Sequence, residues 1–379
     1  MSEAVLNLSR WFFRFSGRSG VQAQVAVQRL PLVDWVKAIA AQMIVLHHLS
    51  LYGPLSRVAA ERYPKLVFVF YEYGLMAVQA FLVVGGFLAV RGLAPEGKFL
   101  VSSPLGLIWK RYQRLVPPFA IAMILAIVGS WVASLWMQDG ALTTFTSIKD
   151  LATRFAAHLV LLHNILDVEA LSAGVWYIAI DFQLFAILLG ILWLANRLGT
   201  WQQKIGIQCE IPWTETLVFL ATIAALFILN RNAKLDIWGI YFVGSYGLGG
   251  LAYWISKRPA NSLLMGLVVV SALLALYIDF RLRIAVALAV AMLLMWVSQQ
   301  ENVLQKLRSR WVAALSRTSY GLFLVHFPVC LLVNAIFDRF VHPGPALALF
   351  GIVVAWMLSM LAGAAFERWV EKPLQAQRG

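Results

Sequence analysis

The chain has 379 residues, of which 61% are hydrophobic and only 13% charged, and its 31 Lys and Arg against 18 Asp and Glu give a net charge of +13. A mean hydropathy of +0.77 and a charged fraction about half the usual ~25% exclude a soluble globular domain and indicate a polytopic membrane protein. The basic residues lie in short segments between apolar stretches, as the positive-inside rule requires, so nucleic acid is excluded as a partner and membrane lipids are the expected surroundings.

Residues 1–29 carry Arg10, Arg14, Arg18 and Arg29 with no acid after Glu3, a pattern expected of a cytoplasmic arm lying on anionic lipid. The first span covers residues 30–51. The second, residues 67–89, holds Gln79 and the pair Gly85 and Gly86, which permit close helix packing. A basic connector from Arg91 to Arg114 leads to a third span at residues 116–136, which opens with Pro117 and Pro118; proline is tolerated in a first helical turn.

A longer polar connection, residues 137–174, contains the amphipathic segment LATRFAAHLVLLHNIL. Spans four, five and six are expected at residues 175–194, 215–229 and 237–255, the last with the glycine-rich GSYGLGG. As one helix the apolar stretch 263–297 would be about 52 Å long, too long for a hydrocarbon core of about 30 Å, so it is divided at Asp279, Arg281 and Arg283 into spans seven and eight. A basic linker at residues 299–317 precedes spans nine, residues 319–337, and ten, residues 346–370.

The expected fold is therefore an all-α integral membrane protein of about ten transmembrane helices, with residues 30–373 as the membrane domain and 374–379 as a tail. Lys and Arg are in excess in the N-terminal arm, the even-numbered connectors and the tail, which places both termini in the cytoplasm. Cys209 and Cys330 show no CxxC or metal-ligand spacing, and neither a disulfide nor a metal is expected.

The first span carries Lys37, His47 and His48 in apolar surroundings, and ionisable groups so placed are functional-site candidates. Lys37 and His48 are eleven residues apart, roughly 1100° of rotation and hence about 20° from three full turns. They share one helix face, separated by roughly 16 Å of rise, and suit a ligand with an anionic head and a reactive tail. Asp181 in span four lies at a depth comparable to His48, where a carboxylate bonded to one ring nitrogen would leave the other as a base. Arg91, Lys110, Arg111 and Arg114 gather with Lys37 at the cytoplasmic face as a candidate anion site.

His158 and His163 are a poor metal pair, about 140° apart round a helix, and read with Asn164 as part of an amphipathic outer segment. His47 points about 80° away from the Lys37–His48 face and offers a structural or outer-face polar contact. His326 offers a hydrogen bond that bridges helices, and Trp176 reads as an interfacial anchor.

In order along the chain, LVDWVKAIAAQMIVLHH, AFLVVGGFL, WKRYQRLVPP, LLHN followed by VWYIAIDFQLF, SYGLFLVHFPV and ERWVEKPL resemble the successive signatures of the membrane-bound acyltransferase-3 family. The resemblance covers essentially the whole chain. It implies ten spans, acyl-CoA as donor with acetyl as the transferred group, and transfer to hydroxyls of surface or lipid-linked glycans in the bacterial inner membrane. The family's basic residue followed by histidine falls on Lys37 and His48, its arginines before span three on Arg111 and Arg114, and its span-four acid on Asp181. Lys37 stands where arginine is usual, Asp181 where glutamate is usual, and Gly85 where serine is usual.

The resemblance implies a base at His48, acting directly or through an acyl-histidine; His163 and Asn164 would then line the acceptor entrance, Trp176 would pack on the acceptor as well as anchor the span, and His326 would line the donor tunnel unless it only bridges helices. The acceptor is modified directly or through a separate periplasmic acceptor protein, and a homo-oligomer is compatible with the sequence. A transporter or flippase of a glycan or lipid-linked substrate is the alternative, although the expected internal repeat is not seen.

Overall fold

The computed structural model describes residues 30–99, 103–137, 147–206, 211–258 and 262–377. The arm expected over residues 1–29 and Cys209 lie outside the described residues. Within these, the chain is helical and contains no strand. In chain order the helices are α1 (Pro31–Leu51), α2 (Pro54–Arg62), α3 (Pro64–Tyr73), α4 (Ala77–Leu93), α5 (Pro104–Ser134), α6 (Ile148–Leu159), α7 (Trp176–Lys204), α8 (Trp213–Phe227), α9 (Gly239–Lys257), α10 (Ser262–Ile278), α11 (Leu282–Val297), α12 (Glu301–Lys306), α13 (Arg310–Ile336), α14 (Pro345–Phe366) and α15 (Lys372–Ala376). Seven helical stretches among the described residues are long and apolar enough to cross a membrane: 31–51, 64–93, 104–134, 176–204, 213–231, 310–341 and 345–376.

Three expectations are corrected in detail. The second apolar stretch begins at Pro64 and is bent by a 3₁₀ turn, Gly74–Met76. A side chain at Gly74 would sit 2.7 Å from the His47 Cβ, so the bend is where this stretch touches α1. The third helix starts at Pro104, capped by the Ser103 hydroxyl, and passes unbroken through Pro117 and Pro118. The prolines are therefore interior. Each removes an i→i−4 bond, yet the helix continues because its neighbours enclose it: Phe119, Ala122 and Met123 are fully buried. Lys110, Arg111 and Arg114 consequently belong to the helix itself rather than to a connector.

The apolar run from 263 onward breaks where charge predicts. Arg281 stops it by donating to the Asn230 side-chain oxygen and the Leu226 carbonyl, both at 2.8 Å. The resulting α10 and α11 have 17 and 16 residues, about 26 and 24 Å of helix, shorter than a typical hydrocarbon core. Neither is among the seven long stretches. Likewise α9 is not, although it is the most enclosed helix in the bundle, with residues 241–256 all buried.

That enclosure rests on glycine. Helices α4 and α9 pack against each other, and a Cβ added at Gly86 or Gly249 would collide with the backbone carbonyl oxygen of Tyr246 or Val83 respectively. Backbone has no rotamer to yield. Small residues at such contacts let helices approach in a medium where apolar burial alone does not drive association. The other main seam joins α13 to α14, α1 and α5, with Val45 and Leu49 of α1 packed in a core with Leu322, Cys330 and Val333 of α13. Gly249→Ala is expected to lower the thermal unfolding temperature of the detergent-solubilised protein, at an overpacking cost of about 1–3 kcal/mol. Gly266→Ala in α10, which meets nothing within 4 Å, should leave it unchanged.

Candidate active site

Helix α1 carries Lys37, Ile44 and His48 down one strip, and only the far end of that strip meets a second titratable ring. His48 Nδ1 lies 2.7 Å from His326 Nε2. The other nitrogen of His326, Nδ1, faces the carbonyl oxygens of Phe323 at 2.7 Å and Leu322 at 3.3 Å. Carbonyl oxygens only accept, so His326 Nδ1 carries a hydrogen. In surroundings this dry a neutral pair is favoured over a charged one, and His326 Nε2 is then an acceptor. His48 Nδ1–H donates to it. The hydrogen-bond chain therefore fixes the His48 tautomer and leaves its Nε2 with a lone pair that no described residue engages.

This corrects the expected partnership. Asp181, read from the sequence as the group orienting His48, is bonded instead to Arg111, whose Nη2 lies 2.5 Å from its Oδ2. His326, read as tunnel lining or a helix bridge, takes the orienting position. The Arg111 guanidinium also lies over the Phe185 ring, 4.9 Å from its centroid. Asp181 thereby neutralises an arginine carried into the bundle by α5.

A cavity of about 770 Å³ opens beside this pair. Its wall includes Lys37, Arg111, Arg114, Arg317 and Lys372 together with Asp181, Glu367 and Glu371. Arg91 and Lys110, expected in the anion site, do not line it, and Lys110 is exposed. Sequence reasoning missed Arg317, Glu367, Glu371 and Lys372, although all lie in or beside the quoted motifs SYGLFLVHFPV and ERWVEKPL. Their signal was charge at the end of apolar helices, which also suits simple anchoring. The cavity wall reaches Ile44, one helical turn short of His48, and includes Phe81, Tyr177, Ile178 and Phe323.

The far side of His48 is covered by the segment leading into α7. Gly174 has φ +74°, and a Cβ there would stand 2.9 Å from His48 Cε1 and 3.2 Å from the Phe323 ring. Glycine is required twice over, by conformation and by proximity. This segment is tied to α6 through His158, whose Nδ1–H donates to the Arg154 carbonyl at 2.7 Å while its Nε2 accepts from Leu171 N–H at 3.2 Å.

The residues expected to face an acceptor differ in exposure and in contacts. His163 is fully buried and stacks on His158 at 4.1 Å, so it lines no entrance. Asn164 is half-buried in the turn that follows. His47 bonds through Nδ1 to the Tyr71 carbonyl at 2.8 Å, fastening α1 to α3. Trp176 stacks on Phe242 at 5.8 Å, an interhelical contact.

A family model described as an acyltransferase domain matches residues 31–364. The chain belongs to the membrane acyltransferase-3 family. No curated protein and no solved structure matches it. The match supports an acyltransferase with multiple membrane helices and lends no support to the transporter alternative.

Two of the acyltransferase's departures from the family pattern are neighbours in space. A Cβ at Gly85 would lie 3.1 Å from the Tyr246 ring and 3.8 Å from Asp181 Oδ1. The missing serine hydroxyl and the shortened acid thus belong to one wall of the cavity, where the Tyr246 hydroxyl and Arg111 Nε are buried without partners.

Two predictions follow from these geometries. Asp181→Ala strands the Arg111 guanidinium, and removing one partner of a buried pair costs about 3–5 kcal/mol; the double variant Arg111→Met, Asp181→Leu should recover most of the unfolding temperature lost by the single one. Burial pushes the His163 imidazole down from 6.5 to about 3, with His158 adding to the shift, and burial lowers His158 as well. Because the unfolded imidazoles bind protons first, their contribution is complete above about pH 6.5 and is lost as pH falls toward about 3. The thermal unfolding temperature should therefore fall as pH drops across that window, and less steeply in His163→Phe.

Proposed function

We propose that this acyltransferase moves an acyl group, acetyl in the first instance, from cytosolic acyl-CoA to a hydroxyl of a surface or lipid-linked glycan, with His48 as general base. The observation that carries the reading is the free Nε2 of His48, held in one tautomer one turn beyond a cavity whose wall bears five cationic side chains. In this reading ten segments cross the bacterial inner membrane with both termini cytoplasmic, so that the cavity opens to the cytosol and His48 lies toward the outer face. The positive-inside pattern supports that orientation.

Coenzyme A is an anionic nucleotide on a long pantetheine arm. Lys37, Arg111, Arg114, Arg317 and Lys372 would hold its phosphates, and the arm would run along the α1 strip toward Ile44. Lysine at position 37 supplies charge without the bidentate fork of arginine. His48 Nε2 takes the proton from the acceptor hydroxyl as its oxygen bonds to the thioester carbonyl carbon. The carbon–sulfur bond breaks, and the proton passes from Nε2 to the departing thiolate. His326 holds the imidazole through Nδ1 and stabilises the imidazolium. The same lone pair would serve an acyl-histidine route, in which Nε2 itself bonds to the carbonyl carbon; trapping a labelled protein without acceptor separates the two. The glycan receives the group directly or through a separate periplasmic acceptor protein.

The test is mass spectrometry of surface glycans from cells with and without the protein, paired with transfer of labelled acetyl from acetyl-CoA in membrane vesicles. An acyl mass difference is expected; glycans identical in both cells, with no label transferred, would overturn the reading. His48→Ala should reduce transfer by about 10²–10⁴ while folding normally. His326 acts through His48, so His326→Gln, whose amide oxygen can accept the Nδ1–H, should keep more activity than His326→Leu and shift the pH profile of kcat less.

A further inference from the structure

Three aromatic rings from three different helices line the cavity and lead by successive ring contacts to the imidazole pair. Phe81 of α4 and Tyr177 of α7 are 6.0 Å apart at 53°, and Tyr177 and Phe323 of α13 are 5.7 Å apart at 70°. Phe323 in turn lies 6.1 Å from His326, the ring that orients His48. All three line the cavity, whereas His48 does not. A thioester travelling from the cavity to His48 along this line of contacts would pass or displace the set. We propose that Phe81, Tyr177 and Phe323 form a constriction that sets the size of the acyl group admitted to His48, with Phe81 as its principal specificity-determining residue.

The three rings are not equally replaceable. Phe323 is backed by Gly174 and stands beside His326, so moving it moves the imidazole pair. Tyr177 touches both other rings and sits four residues before Asp181, whose carboxylate holds Arg111. Phe81 makes no ring or hydrogen-bond contact with the imidazole pair or the Arg111–Asp181 pair among the described residues, and in the line of ring contacts Phe81–Tyr177–Phe323–His326 it stands farthest from the imidazoles. Shortening it enlarges the passage without disturbing the base. A hydrophobic pocket discriminates by about 10–200-fold for each methylene it is built to exclude, which is ample for a three-ring gauge to separate acetyl from longer chains.

The inference rests on acyl-CoA being the donor, and the test keeps the two apart. Membranes containing the wild-type protein, Phe81→Ala or Phe81→Trp are assayed with acetyl-, butyryl- and hexanoyl-CoA, and kcat/KM is compared as the ratio of long to short donor. Phe81→Ala should raise the hexanoyl to acetyl ratio at least tenfold, and Phe81→Trp should lower the butyryl to acetyl ratio. Phe68→Ala, on an exposed face of α3, should leave both ratios unchanged. If Phe81→Ala does not accumulate, Phe81→Leu carries the same sign with a smaller shift. Wild-type transfer of acetyl with ratios that stay fixed, or that move in the same direction in the Ala and Trp variants, overturns the constriction alone. No transfer from any acyl-CoA by the wild-type protein overturns the donor assignment, and the constriction with it.

Discussion

The hydrogen bond between His48 and His326 joins α1 to α13 where water is excluded, and the surrounding structure keeps the two rings in register. Two imidazoles at 2.7 Å have room for one hydrogen between their facing nitrogens. The Phe323 carbonyl decides which ring supplies it, by demanding the hydrogen on His326 Nδ1. A backbone carbonyl one turn back on α13 thus determines which nitrogen of a residue on α1 is left with a lone pair. Gly174 lies so near the His48 ring that a side chain there would collide with it, and His158 anchors the segment that carries Gly174.

Charge in the interior is handled by pairing rather than by exclusion. Arg111 enters the bundle because α5 begins well before its prolines, and Asp181 meets it at 2.5 Å. The acid that appeared free to assist the histidine is occupied in keeping a guanidinium neutralised. At the cavity mouth the same mixture recurs, with Glu367 and Glu371 among the cations, so the wall offers hydrogen-bond acceptors as well as positive charge. A ligand bearing phosphates together with hydroxyl and amine groups finds complements to both.

The positions of these groups depend on how closely the helices approach. Gly86 and Gly249 bring the backbones of α4 and α9 into contact, which draws Tyr246 and Gly85 to the Asp181 wall. Phe81 stands on α4 as well, so the close seam on one side of that helix holds the ring that faces the cavity on the other.

Much was legible in the chain before any tertiary contact. Apolar content and charge identified a helical membrane protein, the ordered motifs identified the acyltransferase family, and the eleven-residue spacing placed Lys37 and His48 on one face of α1. Those properties are local: hydropathy and helical period need only neighbours along the chain. Partner choice is not local. By its place in the sequence Asp181 lay at the depth of His48 while Arg111 was expected at the cytoplasmic face, and only the packing of α5 against α7 brought it to the arginine. His326 is 278 positions from His48, and nothing in a helical period specifies which face of α13 meets α1. The site of His163 was misread for the same reason, since an amphipathic pattern distinguishes inside from outside but does not say that a second imidazole will be stacked on it. Sequence by itself determined which residues are carried on which helix face; the side-chain pairs formed across helices were decided by packing, because each such pair depends on the approach of two faces that the chain joins only through distant connections.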